Sequence, residues 1–250
     1  MPKKLDHSSA CERLSRVDRQ LARIIARSGP CRLQQETTQS IFAALLESII
    51  YQQLNGKVAA TITARVKALF PENAKRIRTR RGLVDDFPTP EQILAASEDL
   101  LRSAGLSRNK MLAIRDLAAK TLDGTVPTVK QAHRMSDDEL IERLVTVRGI
   151  GRWTVEMLLI FRLGRPDVLP VDDYGVRKGF AKMRKLAELP KPKDLLAYGE
   201  RWRPYRSVAS WYLWRAAEMK ALPLASGDKA KNAAAALKAP VKNVKRAAAT

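Results

Sequence analysis

The sequence predicts an all-α protein, and three features carry that prediction. Apolar residues recur at helical spacing in segment after segment, and residues that start or stop helices bracket those segments. The extended run Val168-Leu169-Pro170-Val171 is short and bounded by proline.

In chain order, Leu14, Val17, Leu21, Ile24 and Ile25 give residues 8–27 the pattern of one packing helix, started at Ser8-Ser9 and stopped at Gly29-Pro30. Ile41, Phe42, Leu45, Leu46 and Ile49 make a strongly apolar helix that breaks at Asn55-Gly56 and resumes from Lys57 to Phe70. The basic cluster at 73–82 reads either as a solvated loop or as a track for a phosphate backbone. Thr89-Pro90-Glu91 opens a helix with proline at its first position, Ser97 and Ser107 are placed to cap two more, and Gly105 separates them. Ser136-Asp137-Asp138-Glu139 has the form of a capping box leading into the next helix. Pro192 opens a helix through Tyr198, and a last helix carries Val208, Trp211, Tyr212, Leu213, Trp214 and Met219. Residues 1–225 are therefore expected to form the helical domain. Residues 226–250 form an Ala/Lys-rich tail without a core-facing period, expected to be disordered or transiently helical. That tail either adds salt-dependent affinity for nucleic acid or simply solubilises.

Composition narrows the function classes. The 250 residues hold 46 Lys plus Arg against 26 Asp plus Glu, a net charge of +20, and this balance favours a polyanionic partner, nucleic acid before membrane. No apolar run reaches the length of a bilayer span, and MPKKLDHSSA lacks the apolar core of a signal peptide, so an intracellular protein of the cytoplasm or nucleoid is expected. Cys11 and Cys31 alone cannot build a disulfide scaffold or a four-cysteine metal site, and His7 and His133 are too few for a histidine-based metal centre.

The chemistry-bearing stretch runs from Leu144 to Phe180. Gly149-Ile150-Gly151-Arg152 joins a helical pattern ending near Val145 to another opening at Trp153. Glycines there permit positive φ and let a backbone approach, so amides at a helix start can face one anion; a plain helix–helix corner with a glycine cap has the same sequence. Twenty residues beyond Trp153, Asp172-Asp173-Tyr174 opens a basic helical stretch. Either aspartate could be an N-cap, and a carboxylate held by helix amides remains ionised and directed, which suits the stabilisation of developing positive charge.

Leu144-x4-Gly149-Ile150-Gly151-x2-Thr154, followed at this distance by the apolar-proline segment and Asp173, resembles the helix-hairpin-helix DNA glycosylase superfamily, and within it the 3-methyladenine DNA glycosylase II group. Tyr51-Gln52-Gln53-Leu54, Phe87-Pro88-Thr89-Pro90, Ala104-Gly105-Leu106, Gly124-Thr125-Val126-Pro127 and Arg201-Trp202-x-Pro204-x-Arg206-Ser207 fall in matching order, so the resemblance spans roughly residues 35 to 220.

The resemblance implies a two-lobed, interleaved all-α fold with a cleft between the lobes and the hairpin at about 144–156. It implies Asp173 as the catalytic carboxylate and Trp153, Tyr174, Trp214 and Met157 around an extruded base. Gly149, Ile150, Gly151, Arg152 and Thr154 would meet the DNA backbone, and Gln53 or Leu54 would fill the gap left in the duplex; residues 52–55 also read as an ordinary interhelical turn. Aromatic faces suit the positive charge of N-alkylated purines, while Trp202 and Trp211 read as core. Relatives that cleave the strand through a Schiff base carry a lysine where Trp153 stands, so a monofunctional hydrolase is implied. Its partner would be double-stranded DNA containing damaged bases, bound by a monomer. No cofactor is implied beyond a structural sodium or potassium ion on the Val145, Val147 and Gly149 carbonyls, and the β-rich extension that opens larger members is not expected here. Two alternatives remain: a noncatalytic hairpin module, which would not need Asp173, Trp153 and Trp214 together, and a glycosylase for oxidised or mismatched bases, which would be expected to show the lysine, a cysteine cluster, or both.

Overall fold

The computed structural model describes residues 6–36, 40–74 and 86–219. Among the described residues there are helices, turns and loops and no β-strand, as the apolar periodicity predicts. Most of the basic cluster, residues 75–82, and the Ala/Lys tail lie outside the described residues. The chain divides into two compact units, one formed by 33–165 and the other by 1–32 together with 166–250. No helix among the described residues is long and apolar enough to cross a membrane.

The N-terminal segment is two helices, α1 (His7–Val17) and α2 (Arg19–Ser28), instead of the single helix expected over 8–27. The break is at Asp18, whose extended backbone lets its carboxylate accept from the Gln20 and Leu21 amides and cap α2. Its other oxygen accepts from the indole of Trp202 at 2.9 Å, so a buried tryptophan and a buried carboxylate satisfy one another. The start of α1 also moves, because Asp6 caps it in place of the serines.

Residues 33–165 are built on α3 (Ile41–Tyr51), which is buried along almost its whole length and packs against α4 (Gly56–Ala68) and α8 (Arg108–Leu122). Between them run α5 (Pro71–Ala74), α6 (Pro90–Ala95) and α7 (Glu98–Ser103); Ser97 and Ser107 cap α7 and α8, and Pro90 stands at the start of α6, as their positions predict. After α9 (Val129–Ala132), Ser136 caps α10 (Asp137–Leu144) through the Glu139 amide. The expected reciprocal half of that capping box gives way to an ion pair, since Glu139 turns to Arg143 one helical turn on, at 3.8 Å. The next helix, α11 (Arg152–Met157), widens into a π-helical turn, Leu158–Arg162, whose freed Phe161 and Arg162 carbonyls accept from Glu36 and Gln35.

In the second unit, α12 (Tyr174–Arg184) and α14 (Arg206–Glu218) pack on one another, with α13 (Pro192–Gly199) and a 3₁₀ turn (Glu200–Trp202) between them in sequence. Gly179 makes that pairing close: a Cβ there would stand 1.9 Å from the Leu213 carbonyl oxygen, so only glycine admits this approach. Lys182 ties the far end, donating to the Ala217 and Met219 carbonyls at the terminus of α14 at 2.6 and 2.8 Å. Arg206, nearly buried, grips the Asp167 carboxylate and carbonyl, and Ser207 Oγ accepts from the Val168 amide at 3.0 Å. The matched Arg201–Ser207 motif is thus structural: it anchors the segment that leads through Pro170 to Asp173.

Candidate active site and nucleic-acid interface

Both aspartates could cap α12, and the structure separates them. Asp173 is the N-cap, its Oδ1 accepting from the Val176 amide at 2.7 Å, whereas Asp172 is exposed. A second donor converges on the same oxygen: Trp214 Nε1 lies 2.8 Å from Asp173 Oδ1. Two directed N–H groups, one at a helix start, hold the carboxylate in one orientation. Gly175 leaves the space for this, because a Cβ there would lie 2.8 Å from Trp214 Cδ1 and 3.2 Å from Asp173 Oδ1. The adjacent residue, Tyr174, is 65% exposed, with Lys178 Nζ over its ring at 5.7 Å from the centroid.

Trp202 lies in the core of the same unit, packed edge-on to Tyr198 and Phe180, as its core reading predicts. Trp153 and Met157 belong to residues 33–165, on α11, where Trp153 is 49% exposed and Met157 half-buried.

The hairpin turn runs from Val145 to Gly151. Gly149 holds φ +77, a conformation that favours glycine, and a Cβ there would meet Ala113 of α8 at 3.4 Å. Gly151 is the N-cap of α11, with nothing within 4 Å of the position a Cβ would take. The residues expected to meet a strand divide here. Ile150 and Thr154 are buried, and their amides donate within the turn, to Val147 and Gly151, each at 3.0 Å. The amides of Gly149, Gly151 and Arg152 have no acceptor among the described residues, and they sit at the opening turn of α11, where an anion is favoured. The Arg152 guanidinium is turned along the helix to the buried Glu156, with Nε 3.0 Å from Oε1.

Three side chains from outside the turn hold it, and spacing along the sequence gives no hint of them. Asp116 Oδ2 accepts from the Arg148 amide at 2.7 Å, Lys120 donates to the Thr146 carbonyl, and Gln52 Nε2 donates to the Gly149 carbonyl at 2.9 Å. Gln52 begins the loop between α3 and α4, in which Gln53 adopts φ +58 and Gln53, Leu54 and Asn55 are exposed. Asn55 caps α4 through the Val58 amide.

Residues 46–204 match the family described as "HhH-GPD superfamily base excision DNA repair protein". Over 178 residues the chain is 38% identical to DNA-3-methyladenine glycosylase 1 of Schizosaccharomyces pombe, covering 71% of this chain and 73% of that one. It is 30% identical over 175 residues to DNA-3-methyladenine glycosylase 2 of Escherichia coli, covering 68% of this chain and 55% of that protein. Among solved structures, the S. pombe 3-methyladenine DNA glycosylase Mag1 in complex with abasic DNA aligns with a TM-score of 0.67 and 35% identity, over 85% of this chain and 98% of that one. A family match over residues 46–204, together with a relative 38% identical over 71% of the chain, is decisive: the chain belongs to the HhH-GPD superfamily of base excision DNA repair proteins.

Proposed function

We propose that this protein is a monofunctional DNA glycosylase that hydrolyses the N-glycosidic bond of N-alkylated purines in double-stranded DNA. The observation that carries the reading is the Asp173 carboxylate, capped onto α12 and fixed by Trp214 in a member of a base excision repair family. The C1′–N bond breaks to give an oxocarbenium-like sugar, and a fixed carboxylate opposes that positive charge. A water oxygen then bonds to C1′, with Asp173 orienting it and receiving its proton. An alkylated purine carries positive charge and departs as a neutral base, so little leaving-group protonation is needed.

Tyr174 and Trp214 offer aromatic surface beside that carboxylate, and Trp153 and Met157 keep the base-contact role that the resemblance implies. Trp153, standing where bifunctional relatives carry a lysine, supplies no amine for a Schiff base. The amides of Gly149, Gly151 and Arg152 receive a phosphate of the strand, while Ile150 and Thr154 shape the turn from within. Gln53 and Leu54, exposed at the loop tip, are the groups that enter the duplex. A sodium or potassium ion on the Val145, Val147 and Gly149 carbonyls fits this scheme. The Val147 and Gly149 oxygens each accept one hydrogen bond, from Ile150 and Gln52, and keep a second lone pair for a cation. The protein acts as a monomer on DNA in the cytoplasm or nucleoid. The test is incubation with randomly methylated duplex DNA and mass identification of the freed bases: release of methylated purines is expected, and release of none, or of oxidised bases only, overturns the reading.

A further inference from the structure

The loop tip and the hairpin turn are far apart in sequence, yet one helix holds both. Lys110, in the first turn of α8, donates to the Ile50 and Gln52 carbonyls at 2.6 and 3.0 Å, placing its ammonium on the C-terminus of α3. Partial burial there pulls its pKa below the usual lysine value. Farther along α8, Ala113 faces Gly149, where an added Cβ would meet it at 3.4 Å, Asp116 accepts from the Arg148 amide, and Lys120 bridges Asp116 at 3.0 Å and the Thr146 carbonyl. At about 100° per residue, positions 110, 113, 116 and 120 fall within one arc of roughly 120° on the helix. Gln52 closes the circuit: its carbonyl accepts from Lys110 and its side-chain amide donates to the Gly149 carbonyl. The residue after it, Gln53, is held in the left-handed region, which a side-chain-bearing residue keeps only where its surroundings impose it.

We infer that Gln52 is a positioning residue that, with Lys110, Asp116 and Lys120 of α8, locks the loop tip Gln53-Leu54 in register with the hairpin turn, so that gripping the strand and filling the duplex gap occur as one coupled event. The inference rests on the proposed reading of the hairpin and tip as DNA-contacting loops. Its physical content is that tip placement is set before DNA arrives. Entropy that a free loop would lose on insertion is already lost in the fold. Loss of the link then weakens recognition of a gapped duplex more than general affinity for DNA.

The full chain is measured against two duplexes, one undamaged and one with a tetrahydrofuran abasic analogue, alongside single-turnover excision from methylated DNA at saturating protein. Gln52→Met keeps the length of the side chain and removes its N–H donors without adding a charge beside the strand. Gln52→Met is expected to leave the undamaged duplex within about twofold of wild type while lowering the preference for the abasic analogue by about tenfold. Lys110→Met, which releases the same loop from its other anchor, is expected to act in the same direction, and thermal melts confirm that both variants fold. The deciding measurement is a double-mutant cycle: in a chain already carrying Gln53→Ala and Leu54→Ala, Gln52→Met should lower the abasic preference no further. A merely structural role would give an additive loss. Additive losses, or equal losses on both duplexes, overturn the inference. Failure of wild-type protein to release methylated bases would strike the proposed activity alone, since abasic preference and the cycle read the loop coupling without excision.

Discussion

The indole N–H of Trp214 donates to Asp173 Oδ1 at 2.8 Å, and the Val176 amide reaches the same oxygen at 2.7 Å. This gives Trp214 a part in orienting the carboxylate beside the base-contact role proposed for it, and one substitution separates the two. Trp214→Phe keeps a ring and removes the donor. Excision should fall about tenfold or more, as expected for one hydrogen bond to a charged group. Affinity for a duplex carrying an abasic analogue should be retained. Single-turnover rates and titrations read both quantities; an unchanged rate would leave Trp214 as aromatic surface only.

Gly175→Ala tests the same contact from the opposite side. The added Cβ would stand 2.8 Å from Trp214 Cδ1, so the indole must shift and its bond to Asp173 lengthens. Excision should drop with it, while the helix itself gains from the lower backbone entropy of alanine. A full-rate variant would show that the indole can move without consequence for Asp173.

The hairpin glycines should behave differently from one another. Gly149→Ala puts a side chain on a φ +77 backbone against Ala113, so it should lower both the melting temperature and DNA affinity. Gly151→Ala meets nothing within 4 Å inside the protein, so it should leave the melt unchanged and weaken DNA binding alone. Gel-shift titrations beside thermal melts check the pair; wild-type affinity for Gly151→Ala would remove the strand backbone from that side of the turn.

Much of this was legible in the sequence because its signals are local. Serine caps, Pro90 and the Gly-Ile-Gly turn all depend on neighbours a few residues away, whereas the residues left both Asp172 and Asp173 open as caps and only the resemblance singled out Asp173. Local rules also misled: the apolar period of 8–27 runs unbroken through Asp18, whose partner Trp202 lies across the fold, and Glu139 chose Arg143 over its cap. The link between Trp214 and Asp173 depends on Gly179 letting α12 and α14 meet, and the grip on the hairpin depends on α8. A periodicity shows that a helix buries a face. It does not show which side chain will find which carbonyl on another element.

Borohydride added during turnover should trap no covalent protein–DNA adduct, because the position after Arg152 holds an indole and not an amine. Denaturing gels of labelled duplex decide this, and a trapped band would move the protein to the class that also cleaves the strand.

The most direct test of the account compares Asp173→Asn with Asp172→Asn in single-turnover excision from methylated DNA, with thermal melts alongside. Asparagine at 173 retains an oxygen for the Val176 amide and the Trp214 indole while losing the charge. Excision should therefore fall by about 10²-fold or more, roughly 3 kcal/mol of transition-state stabilisation, with folding and binding to lesion DNA retained. Asp172, exposed and outside the cap, should tolerate the same change with little effect. An active Asp173→Asn beside an inactive Asp172→Asn would contradict the assignment.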